Sequence, residues 1–149
     1  WCQQLIAESL GKKGKGFFPV VSSVPKDHHS LLQLYLDGPK DKLFYIFHSN
    51  EKSKNKILVK NLSKKIMFLN NKSLDIIKKA QKNSLIKTLI KKGIPFREFS
   101  IRELNEETLG QLFSYFIIET IFIARLSNIN PFNQPAVEQV KNYTKKLLS

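Results

Sequence analysis

Short apolar runs alternate with longer amphipathic segments along the chain, and this alternation limits the fold more than any other feature of the sequence. Helices are predicted at residues 1–10, 28–37, 74–92, 106–126 and 135–148. The strand candidates are FFPVV (17–21), KLFYIFHS (42–49) and PFREFSI (95–101), with weaker ones at 57–59 and 66–69. Helices that alternate with short strands pack as layers. The sequence therefore predicts an α/β fold, a layered sheet flanked by helices, in one domain over residues 1–149.

Two adjacent histidines stand at the beginning of the second predicted helix. Asp27 is a suitable N-cap residue, and Gly38 and Pro39 end the helix. His28 and His29 then fall in the first turn, where the helix dipole favours a neutral imidazole, and a neutral imidazole suits acid–base catalysis. The alternative is that both histidines cap the helix and pack at its edge. His28 projects near the middle of the apolar face and His29 towards its edge, so His28 is the better candidate for packing.

Several classes of protein are disfavoured by composition. The single cysteine, Cys2, excludes an intrachain disulfide and favours a reducing compartment such as the cytoplasm. The histidines lack a matched set of nearby ligands, and the sequence contains no glycine-rich nucleotide motif, so we expect neither a metal nor a cofactor. The longest apolar run, around residues 112–126, contains Glu119 and Arg125, so no membrane segment is predicted. Because the chain starts at Trp1 rather than at a methionine, we expect a fragment or a processed product.

The net charge of +13 raises the question of nucleic-acid binding. Only three of the 25 basic residues are arginines: Arg97, Arg102 and Arg125. Arginine provides the planar fork that reads bases and phosphates, so its scarcity argues against specific binding of nucleic acid. The lysines are spread along the chain, which is typical of solvated surfaces, although loose electrostatic association stays open.

Two pairs of polar residues recur at helical spacing. Gln4 and Glu8 are four residues apart, and Gln134 and Lys141 are seven apart, so each pair is predicted to share one face of its helix. Either pair alone is unremarkable on a solvated helix surface.

Three blocks, however, occur together in one order: QQLIAESLGKKGKGFFPV, DHHSLLQLYLDGPKD and NPFNQPAVEQVK. In order and spacing they resemble the C-terminal half of phosphoglucose isomerase, and the last block resembles the family signature Phe-Asp-Gln-x-Gly-Val-Glu-x-x-Lys. The resemblance covers essentially all 149 residues, with residues 50–72 matching loosely. Asn133 and Ala136 replace the usual Asp and Gly of the signature, and Val24, Pro25 and Lys26 depart from the family pattern before the histidines.

The resemblance implies roles for individual residues. Glu8 matches the carboxylate that moves a proton between C2 and C1 of the sugar, and Gln4 matches a glutamine of the substrate pocket. His29 matches the histidine that opens the hexose ring, whereas His28 stands where many members have glutamine or asparagine. Two residues of the last block match groups that contact the substrate, the lysine at the ring oxygen: Gln134 and Lys141.

The implied function is the reversible isomerisation of glucose 6-phosphate and fructose 6-phosphate through an enediolate, in glycolysis and gluconeogenesis, without metal or cofactor. The implied fold is a sugar isomerase-type domain, and the implied partner is a second copy that forms a homodimer with shared sites. The family's N-terminal domain, phosphate loop and enediolate-stabilising arginine would lie upstream of Trp1, so this chain alone is expected to be inactive. The alternative is a non-catalytic sugar-phosphate-binding regulatory domain of the same superfamily, against which the joint presence of the matched residues argues.

Overall fold

A computed structural model describes residues 1–50, 52–57 and 64–149. The chain forms two compact units, one of residues 1–22 and 106–149 and the other of residues 23–105. The helices are α1 (Cys2–Leu10), α2 (Lys26–Ser30), α3 (Leu32–Asp37), α4 (Leu74–Lys92), α5 (Glu106–Leu126) and α6 (Pro135–Leu148), and the strands are β1 (Phe44–Ser49) and β2 (Phe96–Ile101). The mixed α/β class is confirmed, while the expectation of a single domain stays a prediction.

The first unit is built on the packing of α1 against α5. Phe116, Thr120 and Ala124 are the buried residues of α5, and their spacing of four places them along one stripe of the helix. Ala124 forms a core with Leu10 at the end of α1 and with Ile129 beyond the end of α5. This core therefore joins the carboxyl ends of α1 and α5.

Helix α5 is apolar on more than its buried stripe. Ile118, Phe122 and Leu126 recur every four residues and are exposed. By length and composition alone α5 also meets the criterion for a membrane-spanning helix, which core helices of soluble proteins meet as well. Glu119 and Arg125 lie within it.

The second unit contains a two-stranded parallel sheet. Strand β1 pairs with β2 in a register that sets Phe44 opposite Phe96 and Ser49 opposite Ile101. Parallel strands need a crossover connection, and α4 lies between the two strands in the sequence. The predicted strands at 42–49 and 95–101 and the predicted helix at 74–92 are thus confirmed. Gly93 ends α4 with a φ of 65°, a left-handed conformation that glycine adopts without steric cost.

The predicted strand at 17–21 is wrong. This segment forms no strand, and the side chains of Phe17 and Phe18 are 64% and 91% exposed. A strand requires a hydrogen-bonded neighbour, and Pro19 has no N–H to donate. The carbonyl of Pro19 instead accepts a hydrogen bond of 2.9 Å from Gln3 Nε2.

Two weaker strand candidates also differ from the structure. Residues 66–69 belong to a 3₁₀ helix, Lys64–Leu69, because a run of four apolar residues fits one helical turn as well as a strand. The candidate at 57–59 lies outside the described residues except for Ile57, which belongs to no strand.

The predicted histidine helix is two short helices. The backbone of Leu31, with a φ of −117°, separates α2 from α3. Asp27 is not the N-cap, because its carboxylate accepts a hydrogen bond of 2.6 Å from the backbone N–H of Ser23, behind the helix. The helix begins at Lys26, so His28 and His29 are the third and fourth of its five residues. The effect of a helix N-terminus on the two histidines stays a prediction.

Candidate functional site

One carboxylate in the first unit accepts hydrogen bonds from two glutamine amides. Gln4 Nε2 donates to Glu8 Oε1 at 3.2 Å, and Gln134 Nε2 donates to Glu8 Oε2 at 3.0 Å. Gln4 and Glu8 stand one turn apart on α1, as their spacing predicts. Together Gln4, Glu8 and Gln134 form what we call the glutamate–glutamine cluster.

Gln134 is the residue immediately before α6, and its side chain reaches the cluster from that position. The spacing predicts Gln134 on one helical face with Lys141, but the φ of −137° and ψ of 63° at Gln134 are not helical, and the helix begins at Pro135. A residue before proline is pushed out of the helical region, and proline itself is favoured in the first turn of a helix. The carbonyl of Gln134 starts the helix by accepting the N–H of Glu138 at 3.3 Å.

The chemistry of the cluster follows from its donors. All three side chains are exposed, so a ligand can approach the carboxylate. A carboxylate has about four lone-pair positions, of which the two amides use one on each oxygen. Neutral amides fix the orientation of the carboxylate without cancelling its charge. Glu8 is thereby held as an oriented carboxylate that solvent and ligands can reach.

Lys141 lies two turns into α6, where its ammonium group donates to Glu138 Oε1 at 2.8 Å. Both side chains of this pair are well exposed, at 65% and 62%, so the pair contributes little to stability. Lys141 also lines a shallow surface depression with Val140, Thr144 and Leu148, a depression that the residues of the glutamate–glutamine cluster do not line. The structure therefore brings together Gln4, Glu8 and Gln134, and it places Lys141 with Glu138.

The two adjacent histidines belong to the second unit. His28 is half-buried and His29 is exposed. This is the order that the helical projection predicts, although the helix that carries them is shorter than expected.

A polar group in the second unit was missed by the sequence analysis. Glu98 Oε1 on β2 accepts a hydrogen bond of 2.6 Å from Lys82 Nζ on α4, and it lies 2.8 Å from His48 Nε2 on β1. The hydrogen bond from Lys82 is the main cause that lowers the pKa of Glu98, and His48 adds to it. The sequence did contain a signal for this group. Side chains alternate between the two faces of a strand, and in the register of β1 with β2 this alternation places His48 and Glu98 on the same face of the sheet. In the described part of the chain, no three His, Cys, Asp or Glu side chains are grouped closely enough to hold a metal ion.

Comparison with known proteins finds relatives that match nearly the whole chain. A scan against protein-family models finds no match. The chain is 37% identical to the glucose-6-phosphate isomerase of Methanocaldococcus jannaschii over 155 residues, which cover 99% of this chain and 36% of that protein. It is 36% identical to the glucose-6-phosphate isomerase of Mycoplasmopsis synoviae over 145 residues, with 95% and 34% covered. Nearly the whole chain is therefore similar to a portion of these glucose-6-phosphate isomerases.

The chain spans about a third of the length of these glucose-6-phosphate isomerases. This chain also matches about a third of the length of a protein whose structure has been solved. The crystal structure of a hypothetical protein from Thermus thermophilus is 29% identical, with a TM-score of 0.85, and the match covers 100% of this chain and 37% of that one. The family resemblance seen in the sequence is thus confirmed for a portion of the family's chain.

Proposed function

We propose that this chain is the part of a glucose-6-phosphate isomerase that carries the catalytic base, and that the whole enzyme interconverts glucose 6-phosphate and fructose 6-phosphate. One observation carries the proposal. Glu8 and Gln134 are 126 positions apart in the sequence, yet the amide of Gln134 binds the carboxylate that Gln4 also binds. The three residues that meet are three that the family resemblance assigns to one substrate pocket.

The proposed chemistry is proton transfer through an enediolate. Glu8 takes the proton from C2 of the open-chain sugar and returns it to C1. The two amides hold the carboxylate in one orientation, and because they are neutral they do not cancel its charge. The negative charge that develops on the enediolate oxygen needs a fixed cation, which the family resemblance assigns to an arginine outside this chain.

Ring opening precedes this step. It delivers one proton to the ring oxygen and removes one from the anomeric hydroxyl. We assign this task to His29 together with Lys141, with Lys141 at the ring oxygen. The exposure of both side chains supports the assignment, since each is accessible to a sugar.

The proposal extends to fold and assembly. A two-stranded sheet is marginal by itself, and parallel sheets are usually covered by helices on both faces, so β1 and β2 are proposed to be part of a larger layered sheet of the sugar isomerase type. The whole enzyme is proposed to be a cytoplasmic homodimer that needs no cofactor, in which His29 is contributed to the partner's site. Exposed apolar side chains on α5, among them Ile118 and Phe122, support association with further protein.

The test is a chimera in which this chain replaces the matching third of the M. jannaschii enzyme. The chimera is expected to interconvert the two hexose phosphates, while the 149-residue chain alone is expected to be inactive. A folded chimera that binds hexose phosphate without exchanging the C2 proton with solvent would favour the alternative, a regulatory sugar-phosphate-binding domain. A folded chimera that neither binds nor exchanges would overturn both.

A further inference from the structure

A tight turn follows α1 and presents two lysines. Lys12 and Lys15 exchange backbone hydrogen bonds of 3.1 and 2.9 Å, so they face each other across a two-residue turn. Lys13 and Gly14 occupy the turn with φ angles of 54° and 69°, as a type I′ turn requires. Side chains of directly opposed residues project to the same face. The turn thus aims two ammonium groups in one direction.

Both ammonium groups bind the segment that follows α5. Lys15 Nζ donates to the carbonyl of Ser127 at 2.8 Å, and Lys12 Nζ donates to the carbonyl of Asn130 at 2.7 Å. The carboxyl end of a helix carries carbonyls without intrahelical partners and the negative end of the dipole, both of which attract cations. Burial lowers the pKa of Lys12, so this ammonium group is partly withdrawn from water. We call these two contacts the lysine clamp.

The lysine clamp joins the two segments that carry the glutamate–glutamine cluster. Lys12 lies four residues after Glu8, and Asn130 lies four residues before Gln134. We propose that Lys12 and Lys15 are positioning residues that hold the segment after α5 where Gln134 reaches Glu8. The positioning is a claim about structure, and its consequence for catalysis rests on the proposed function.

A competing explanation is that the apolar core sets this geometry. Leu10 and Ile129 are buried beside the clamp and join the same two segments. Apolar contacts are not directional, whereas two charge-assisted hydrogen bonds fix both the position and the register of a loop. The lysine clamp therefore supplies what the core does not, the alignment of Gln134 with one oxygen of Glu8.

The proposal is tested by nuclear magnetic resonance on the ¹⁵N-labelled 149-residue chain. The side-chain amide signal of Gln134 is followed while Glu8 is protonated by lowering the pH. In the parent chain this signal is expected to shift with the protonation of Glu8, and Glu8→Gln is expected to abolish the shift. The double variant Lys12→Met/Lys15→Met is expected to lose the shift. The double variant with arginine at both positions is expected to retain it, because arginine preserves the charge and the donors.

Lys13→Met is the matched control, since Lys13 stands in the same turn and is exposed. It is expected to leave the shift unchanged, and a loss in this control would overturn the specific role of the clamp. Methyl signals of Leu10 and Ile129 report whether the core is intact. If the core is intact and the methionine double variant keeps the shift, the proposal is wrong. If that variant does not fold, the single variant Lys15→Met decides by the same criterion, because Lys15 is exposed.

This readout separates the clamp from the proposed function, because it requires no turnover. Loss of the shift in the methionine double variant together with an inactive parent chimera would support the clamp and contradict the isomerase function. An unchanged shift in the methionine double variant together with an active chimera would contradict the clamp and support the isomerase function. In an active chimera, the methionine double variant is expected to lower kcat more than it changes KM, since it misplaces the base rather than the sugar.

Discussion

The side-chain amide of Gln134 donates a hydrogen bond of 3.0 Å to Glu8, so residues near opposite ends of the chain meet at one carboxylate. The meeting depends on two local features. Helix α1 presents Glu8 beside Gln4, and Pro135 keeps Gln134 out of α6 so that its side chain reaches back to α1. In the proposed function this carboxylate takes the C2 proton of the sugar, and each of its contacts can be tested by substitution.

Glu8→Gln in the chimera is expected to lower isomerisation by about 10²- to 10⁴-fold, because an amide cannot accept the C2 proton. Ring opening should survive. Solvent deuterium exchange at C2 measures the first effect, and release of the open-chain form measures the second. Glu107→Gln is the matched control, since Glu107 also accepts a hydrogen bond from a glutamine four residues away, Gln111, at 3.3 Å. Exchange at the parent rate in Glu8→Gln would assign the base elsewhere.

Gln134→Leu is expected to lower kcat/KM roughly 10- to 100-fold, the range of a hydrogen bond to a charged group. The carboxylate of Glu8 would keep Gln4 as donor but lose its alignment from α6. Gln139→Leu is the control on the same helix, where Gln139 donates to the hydroxyl of Tyr143 at 3.4 Å. Equal losses in the two variants would indicate a general effect on α6 instead of a specific effect on Glu8.

Much of this structure could be predicted from local patterns, and the failures have different causes. The carboxyl end of α4 follows from Gly93, and the strands β1 and β2 follow from apolar runs, which act within a few residues. Whether FFPVV forms a strand depends on a distant neighbour that no local pattern reveals. Asp27 failed as a predicted N-cap because its carboxylate turned back to Ser23.

In the candidate site, too, contacts between residues close in the sequence could be predicted, and contacts between distant residues could not. The pairing of Gln4 with Glu8 follows from helical spacing. The contact between Gln134 and Glu8 joins positions 126 apart, and spacing contains no information on it. Family resemblance grouped these residues, because a fold retains pairings that one sequence does not display. Neither helical spacing nor family resemblance predicts the lysine clamp. Its contacts join the turn after α1 to the segment after α5, which only the structure brings together.

Leu10→Ala is expected to lower the free energy of unfolding by about 2–5 kcal/mol, because Leu10 is 1% exposed within the core of the first unit and truncation leaves a cavity. Leu147→Ala, at a residue that is 86% exposed, should change it by less than about 0.5 kcal/mol. Urea unfolding of the 149-residue chain measures both. Similar effects at the two positions would contradict the packing of α1 against α5 described above.

The second unit should lose stability in acid through Glu98. The hydrogen bond from Lys82 holds the pKa of Glu98 below the usual glutamate value of 4.5, and His48 also faces this carboxylate. A carboxyl group with a lowered pKa in the folded state contributes stability above its unfolded pKa, and that contribution is lost as pH falls through the folded pKa. Unfolding measured from pH 7 to pH 3 should show a loss below about pH 5 that Glu98→Gln reduces. An identical acid profile in Glu98→Gln would remove Glu98 as the cause.

The last prediction concerns the homodimer, in which His29 is proposed to act in the site of the partner subunit. Inactive chimeras carrying Glu8→Gln and His29→Ala are mixed under conditions of subunit exchange. A mixed dimer then contains one site in which Glu8 and His29 are both intact. At equal mixing about half the dimers are mixed and each regains one of its two sites, so roughly a quarter of the parent activity should return. A mixture with Glu8→Gln alone in both partners is the control and should stay inactive. Activity that stays at the level of the separate variants, despite verified exchange, would show that His29 acts within its own chain.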